Sequence, residues 1–523
     1  MVSCDLTREK HRLYLQSQLD ASTTLKERNR LGQFATPTAL AQDIMLFAAR
    51  FLSSEEKLCF FDPAIGSGSF YSALCRVFPA ERISEAFGFE IDTRYREAIT
   101  QLWGQSSLDV HFGDFTQAKP SRRFNFMVCN PPYVRHHHIS KGEKDRLRAR
   151  LMAVSGINIS GLAGLYCYFL GLSHEWLADG GLAAWLIPSE FMDVNYGQAI
   201  KEYLLERVTL LHIHRFNPAD AQFSDAIVSS AVVWFRKTRP PSAHTVTFTF
   251  GGTLAVPKVT RFISTSDLAQ EPKWTRFPGA DVRVKAAIPT ISDFFQIRRG
   301  LATGNNNYFI LSAEDIKARG LPIEAFRPIL PSPRHLVGDE VLADDNGSPV
   351  TERRLFLLDT KHSEDEIKDR LPALHNYIEE GKIRGLHNGY LCRHRSPWYA
   401  QEKRPHAPIV CTYMGRCDSK RGRPFRFILN NSVATVTNVY LAMYPTQSLA
   451  NALVREPALI RDVWRILNAI EPEQILNEGR VYGGGLNKLE PKELANVPVP
   501  EIADVLPPER PPTELGLLNE RVV

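Results

Sequence analysis

Asn130-Pro131-Pro132-Tyr133 follows directly on an apolar run, Phe124–Cys129, that reads as a strand. Two consecutive prolines stiffen the backbone at that strand end and remove two N–H donors, leaving carbonyls turned outward. The Asn130 side-chain oxygen and the Pro131 carbonyl then form a pair of acceptors, suited to both hydrogens of an exocyclic amino group. Tyr133 supplies a flat ring on which a base can stack. A bare tetrapeptide also fits a plain turn, so its weight depends on its surroundings.

A second chemical stretch lies upstream. Phe60-Phe61-Asp62-Pro63-Ala64-Ile65-Gly66-Ser67-Gly68 ends one strand and opens a helix. Its two close glycines permit a tight turn and let a ligand approach the backbone. Glu90 follows 22 residues after Gly68, at the end of the next strand, where a carboxylate suits the two hydroxyls of a ribose. The stretch lacks both the GxGxxG of dinucleotide sites and a GKS/T phosphate loop. An adenosyl ligand without a pyrophosphate fits better. The bland alternative is a structural glycine turn with a solvated Glu90.

These stretches need a scaffold, and the first half of the chain reads as one. Leu58–Asp62, Ala86–Ile91, Val110–Gly113, Phe124–Cys129 and Leu182–Ile187 are strand-like, with helices over Ser69–Phe78 and Leu165–Ala178. Leu210–Phe216 and Ile227–Phe235 read as a closing pair. Alternating strands and helices predict an α/β fold, a doubly wound and mostly parallel sheet that binds ligands at the carboxyl ends of its strands. The rhythm stops after Lys237. We expect a catalytic domain over 1–240, a linker with an extra β segment over 241–284, an α+β domain over 285–500 and an extended tail over 501–523. His244–Phe250 reads as an exposed strand, and Asp92 as the N-cap of a helix over Arg94–Leu102.

At 523 residues with 44% hydrophobic and 23% charged, wholesale disorder is excluded. The formal net charge of +5 is uninformative until it is mapped. Between Gly381 and Arg426, eleven Lys/Arg face two Asp/Glu (Glu402, Asp418); that surplus of nine leaves −4 on the other 477 residues. With Tyr390, Trp398, Tyr399, Tyr413 and Phe425 interleaved, this is the composition of a surface facing phosphates and bases. A solvated basic face with core aromatics is the plainer reading. The longest apolar run, Gly161–Leu172, is 12 residues, too short to span a bilayer, and Met1–His11 has no apolar signal core. The eight cysteines show no CxxC pair, which points to reduced thiols and a cytoplasmic protein. His136-His137-His138 invites a metal reading, but adjacent histidines converge poorly on one ion. With Arg135, Lys141, Lys144, Arg146, Arg148 and Arg150 around them, a mobile DNA-contacting loop is the better expectation, and no metal is expected.

In order, Gly32-Gln33-Phe34-Ala35-Thr36-Pro37, Asp62–Gly68, Glu90, Gly113-Asp114-Phe115 and Asn130–Tyr133 resemble the amino-methyltransferases that use S-adenosylmethionine. With the long C-terminal extension, the chain resembles the gamma class of adenine-N6 DNA methyltransferases of restriction–modification systems. Arg299–Asn305 and Tyr482–Leu494 are similar to the target-recognition domain of the PstI/BsuBI-like group. The resemblance implies a Rossmann-like methyltransferase fold and S-adenosylmethionine as cofactor. Thr36 and Pro37, with Asp62 and Gly66, would hold its methionine end, Ala64 and Gly68 would also bind the cofactor, Glu90 would bind the ribose, and Asp114 with Phe115 the adenine. Asn130 and Pro131 would hold the target amino group, with Pro132 bracing the turn and Tyr133 on one face of the base. Phe235, or else Trp234, would close the other face. Ile65 stands where cysteine is more usual, a packing change.

The implied substrate is duplex DNA whose target adenine is flipped out. DNA-contact candidates are Arg135, Asn305, Asn306, Arg393, Arg395 and Arg416, from residue types that read base edges. The rivals are an RNA or protein-glutamine amino-methyltransferase and a non-catalytic DNA-binding subunit that keeps the fold. The basic stretch and the long second half favour a long nucleic acid. The element at Gly32–Pro37 leaves no room ahead for a nuclease domain, so any cognate endonuclease is expected to be a separate protein.

Overall fold

The computed structural model describes residues 2–218, 229–277, 288–417, 422–482 and 485–507. The chain divides into two compact units, Met1–Val284 with Tyr482–Gly485, and Lys285–Val481 with Leu486–Val523.

The first unit is built on a nine-stranded sheet. Its strands are β1 (Leu58–Asp62), β2 (Ile83–Glu90), β3 (Leu108–Phe112), β4 (Phe124–Cys129), β5 (Leu177–Pro188), β6 (Thr209–Arg215), β7 (Ser230–Arg236), β8 (Thr245–Gly252) and β9 (Pro257–Ser264). They lie in the order β3-β2-β1-β4-β5-β7-β6-β8-β9. β1 to β5 are parallel, while β7 inserts antiparallel between β5 and β6. β1, β4 and β5 are buried along most of their length, which is why they read as continuous apolar runs rather than alternating ones. β2 and β3 turn to one side of β1 and β4 and β5 to the other. The strand order therefore reverses between β1 and β4, and the crevice of a doubly wound sheet opens at their carboxyl ends.

Helices α1 (Val2–Ala21), α2 (Leu25–Leu31), α3 (Thr38–Ala48), α4 (Ser69–Val77), α5 (Tyr95–Trp103), α6 (Lys141–Ser155), α7 (Leu165–Leu172) and α8 (Gln198–Glu206) belong to this unit. The helix expected over Leu165–Ala178 stops at Leu172, because a 3-10 turn at Ser173–Glu175 and the start of β5 at Leu177 take up the rest. Asp92 is not the N-cap of α5. That position is Arg94, whose N–H Asp92 accepts at 3.0 Å. The segment expected as a linker continues the sheet. β8 pairs in parallel with β6 over His212–Arg215, and its Val246 and Phe248 are buried, so it is an interior strand rather than an exposed one.

The second unit mixes helices with short sheets. One sheet has five strands, in the order Phe295–Arg299, Tyr440–Pro445, Ile409–Thr412, Phe427–Asn430 and Glu340–Val341. Another joins Ile310–Ser312, Leu355–Leu358 and Phe326–Ile329. The expected extended tail begins instead as a short helix, Glu501–Val505, with Ile502 buried in this unit's core; 508–523 lie outside the described residues. No helix among the described residues is long and apolar enough to cross a membrane.

Candidate active site

β1 delivers Asp62, only 1% exposed, to the carboxyl edge of the sheet. The chain then turns through Gly66 and Gly68, both at positive φ (54° and 85°), into α4. The carboxylates at the strand ends hold this turn. Asp62 accepts from the Ala64 N–H at 3.0 Å, while Glu90, at the end of β2, accepts from the N–H groups of Gly66 (3.0 Å) and Asp92 (2.8 Å). Burial raises both acids, each to about 7.

The segment 32–37 is strapped across the same edge. Gln33 donates to Asp92 at 3.0 Å, and the Tyr133 N–H donates to the Gly32 carbonyl at 3.2 Å. Gly32 sits at φ 67°, and a β-carbon there would lie 2.4 Å from the Tyr133 nitrogen, so only glycine permits the approach. Asn130 closes the strap. Its Nδ2 donates to the Phe34 carbonyl (3.0 Å) and to Thr36 Oγ1 (3.1 Å). The carbonyl can only accept, which fixes which end of the amide faces it. Oδ1 is left buried and, among the described residues, without a partner. An orphaned acceptor of this kind costs about 1–3 kcal/mol, and one beside a cavity is open to a ligand's donor. Among the described residues, no protein N–H donates to the Pro131 carbonyl.

Between these groups lies a cavity of about 390 Å³, lined by Phe34, Thr36, Asp62, Ala64, Gly66, Glu90, Asp114, Phe115, Asn130 and Pro132 among others. Two buried acids at its floor suit a ligand carrying positive charge and hydroxyls, and the rings of Phe34, Phe115 and Phe169 suit a flat apolar one. Asp114 also caps its own turn. Its carboxylate accepts from the Thr116 N–H (2.8 Å), the Thr116 hydroxyl (2.7 Å) and Gln117 Nε2 (2.8 Å). Phe115 reaches the cavity from the core, packed on Phe61, Phe89, Phe169 and Trp176.

Other expected positions fall elsewhere. Gly68 serves packing, since a β-carbon there would meet the Trp103 indole nitrogen at 2.6 Å. Pro37 is the N-cap of α3 and is not among the lining residues. Tyr133 is no open platform. It is 9% exposed, its hydroxyl donates to the Leu186 carbonyl at 3.1 Å, and its ring packs near Phe34 and Tyr166. Phe235 is 1% exposed and pairs with Ala183, which pairs with Met127 three residues before Asn130. At about 3.3 Å per residue along a strand it lies well back from the site. Trp234 is buried against Phe47. Neither can close the far face of a base at Asn130. The loop 219–228 between β6 and β7 lies outside the described residues.

The basic stretch after Arg135 is a helix rather than a mobile loop. Arg135 itself is exposed. In α6, Arg146 donates to the Thr116 carbonyl and hydroxyl, and Arg148 to the Ile159 carbonyl. Arg150 binds the Thr116 carbonyl and pairs with Glu175 at 2.6 Å. Arg146 and Arg150 thereby brace the turn that carries Asp114. His136–His138 form a single 3-10 turn.

In the second unit, the expected base readers are partly spent. Arg395 donates to the carbonyls of Ala302 (2.6 Å) and Thr303 (2.9 Å), pinning that loop. Asn305 caps a helical turn through the Tyr308 N–H, and Asn306 accepts from Thr303. Arg393 is exposed and lies over the Tyr390 ring. Arg416 is exposed on the strand Met414–Arg416.

Sequence reasoning assigned nothing to α1, yet it supplies a polar face to the cavity. Glu9, Arg12 and Gln16 are all buried, and Gln16 lines the cavity. Their i, i+3, i+7 spacing marks one helix face, but a charged face reads as solvated when no apolar partner betrays it.

The sheet order, the switch point between β1 and β4 and the acid-lined cavity beneath Asn130 define an S-adenosylmethionine-dependent methyltransferase fold. Two family models match the chain. Residues 81–222 match the Eco57I restriction-modification methylase and 279–514 the C-terminal domain of Type II methyltransferase M.Eco57I. The chain is 27% identical over 481 residues to Type II methyltransferase M.XamI of Xanthomonas campestris pv. amaranthicola, covering 91% of this chain and 86% of that one. It is 24% identical over 505 residues to M.AccI of Acinetobacter calcoaceticus, covering 92% and 87%. A shorter match, 29% identical over 130 residues and covering 24% and 49%, is to a tRNA1(Val) (adenine(37)-N6)-methyltransferase of Vibrio campbellii. Across both halves, then, the chain is similar to type II restriction–modification methyltransferases.

Proposed function

We propose that the protein transfers a methyl group from S-adenosylmethionine to the N6 amino group of an adenine flipped out of duplex DNA. On this reading it acts in the cytoplasm and protects host sites against a separately encoded endonuclease. The orphaned Asn130 Oδ1 carries this reading. With the Pro131 carbonyl beside it, two acceptors take both hydrogens of an exocyclic amine. That draws the nitrogen toward a tetrahedral shape and frees a lone pair otherwise delocalised into the ring. The cofactor supplies an electrophilic sulfonium methyl, so no strong base is needed and positioning does most of the work. Asp62 and Glu90 would face the cofactor's positive charge and ribose hydroxyls, a setting that would ease two carboxyls now held near 7 by burial. Asp114 and Phe115, which line the cavity, would border the adenine end.

Adenine rather than cytosine is supported by the asparagine before the prolines and by the adenine-N6 specificity in the name of one relative. A DNA substrate is supported by the similarity to restriction-modification methylases. The test is direct. Duplex DNA and RNA are incubated with the protein and isotopically labelled cofactor, digested to nucleosides and resolved by mass spectrometry. Labelled N6-methyldeoxyadenosine is expected. Label in N4-methyldeoxycytidine, or in RNA alone, overturns the reading.

A further inference from the structure

α1 places a buried ion pair against the cofactor turn. Arg12 is 1% exposed, and its guanidinium donates through Nη1 to Ser67 Oγ (3.0 Å) and Ser69 Oγ (2.9 Å), which both line the cavity. On the far side Glu9 accepts from Arg12 Nε (2.9 Å) and Nη2 (2.6 Å). Glu9 also accepts from the hydroxyls of Ser72 and Thr38. An arginine can only donate. Each serine oxygen that accepts from it therefore keeps its own hydrogen to give, and no acceptor for either hydroxyl is found among the described residues. The cavity thus has two linings of opposite preference. Asp62 and Glu90 bring acceptors to one, while Ser67 and Ser69, backed by a guanidinium, bring donors to the other.

We propose that Arg12 is a positioning residue that aims the Ser67 and Ser69 hydroxyls into the cavity as the seat of the cofactor's amino-acid carboxylate. This rests on the cavity being the S-adenosylmethionine site. Glu9 holds the guanidinium in place, and its remaining lone pairs are met by Ser72 and Thr38. A carboxylate arriving at the serines completes a chain of charge-assisted hydrogen bonds, the stronger kind.

The experiment measures dissociation constants by calorimetry for S-adenosylmethionine and for its decarboxylated form, which keeps the sulfonium, ribose and adenine. The full-length protein is compared with Ser67→Ala/Ser69→Ala and with Glu9→Gln/Arg12→Met, which removes the buried pair together so that no lone charge is stranded. The wild type is expected to prefer the carboxylated ligand roughly ten- to hundredfold, as hydrogen bonds to a charged group allow. Both variants should lose that preference while holding the decarboxylated ligand as before. Variants that keep the wild-type preference, or that lose both ligands equally, overturn the proposal. A wild type that binds neither ligand instead overturns the reading of the cavity.

Discussion

The carboxyl edge of the nine-stranded sheet and the basic stretch Gly381–Arg426 are both rich in polar side chains, but they spend them differently. At the sheet edge, bonds are left open. Asn130 anchors its nitrogen and keeps its oxygen, and Asp62 and Glu90 stay buried beside a cavity. In the basic stretch most of the cations among the described residues already hold a partner within the protein. Arg426 is buried, pairs with Asp339 at 2.6 Å and donates to the carbonyls of Pro333, Leu336 and Gly338. Arg423 holds Asn468, Lys382 holds Glu364 and Glu379, Arg384 holds Glu380, and Arg404 holds Glu402. Trp398, Tyr399, Tyr413 and Phe425 are buried core, while Tyr390 is 71% exposed. Charge density in a sequence therefore does not measure charge offered to a partner. What counts is which donors the fold leaves unspent.

Four measurements probe that contrast. Asn130→Ala should lower single-turnover methyl transfer about a thousandfold, the scale of deleting a preorganised hydrogen-bonding group, with cofactor affinity retained; near wild-type transfer breaks the account of the sheet edge. Arg426→Met should cost roughly 3 kcal/mol in denaturant unfolding of the second unit, because three carbonyls and Asp339 lose a charged donor. If stability held and only DNA binding fell, the basic stretch would be an interface after all.

Cofactor affinity should rise about tenfold between pH 6 and pH 8 for each of the two carboxyls near 7 that ionises on binding. The sign follows from the raised values. In the free protein these carboxyls are largely protonated below 7, the cofactor's cationic groups and hydroxyls favour the ionised form, and binding releases protons. Calorimetry in buffers of different ionisation enthalpy checks this, and a flat profile removes the acids from the site. The smallest effect is Arg393→Ala. It should weaken duplex binding several-fold and reduce the salt slope by about one, with stability unchanged, since Arg393 is exposed and lies over the exposed Tyr390.

The catalytic half was legible wherever chemistry follows chain order. Strand, glycine turn, helix, strand and acid are local, and Asp62–Gly68, Glu90 and Asn130 are brought together at the carboxyl edge of one sheet. Residues whose role depends on a distant partner were not legible. Phe235 looks like any aromatic on a late strand until its register against Ala183 places it in the core. Arg146 and Arg150 look like a nucleic-acid loop until Thr116 and Glu175 claim them.

By itself, the sequence determined the α/β class, the turn between β1 and α4 and the acceptor at Asn130, because backbone stiffness, glycine freedom and hydrophobic pattern act over a few residues. Only the tertiary structure decided that Asn130 keeps Oδ1 free while Phe34 and Thr36 hold Nδ2, and that Arg12 in α1 reaches Ser67 and Ser69 more than fifty residues away. It also decided that Arg426 is spent on carbonyls and Asp339. A hydrogen bond is satisfied by whatever is near in space, and nearness across the chain is what folding supplies.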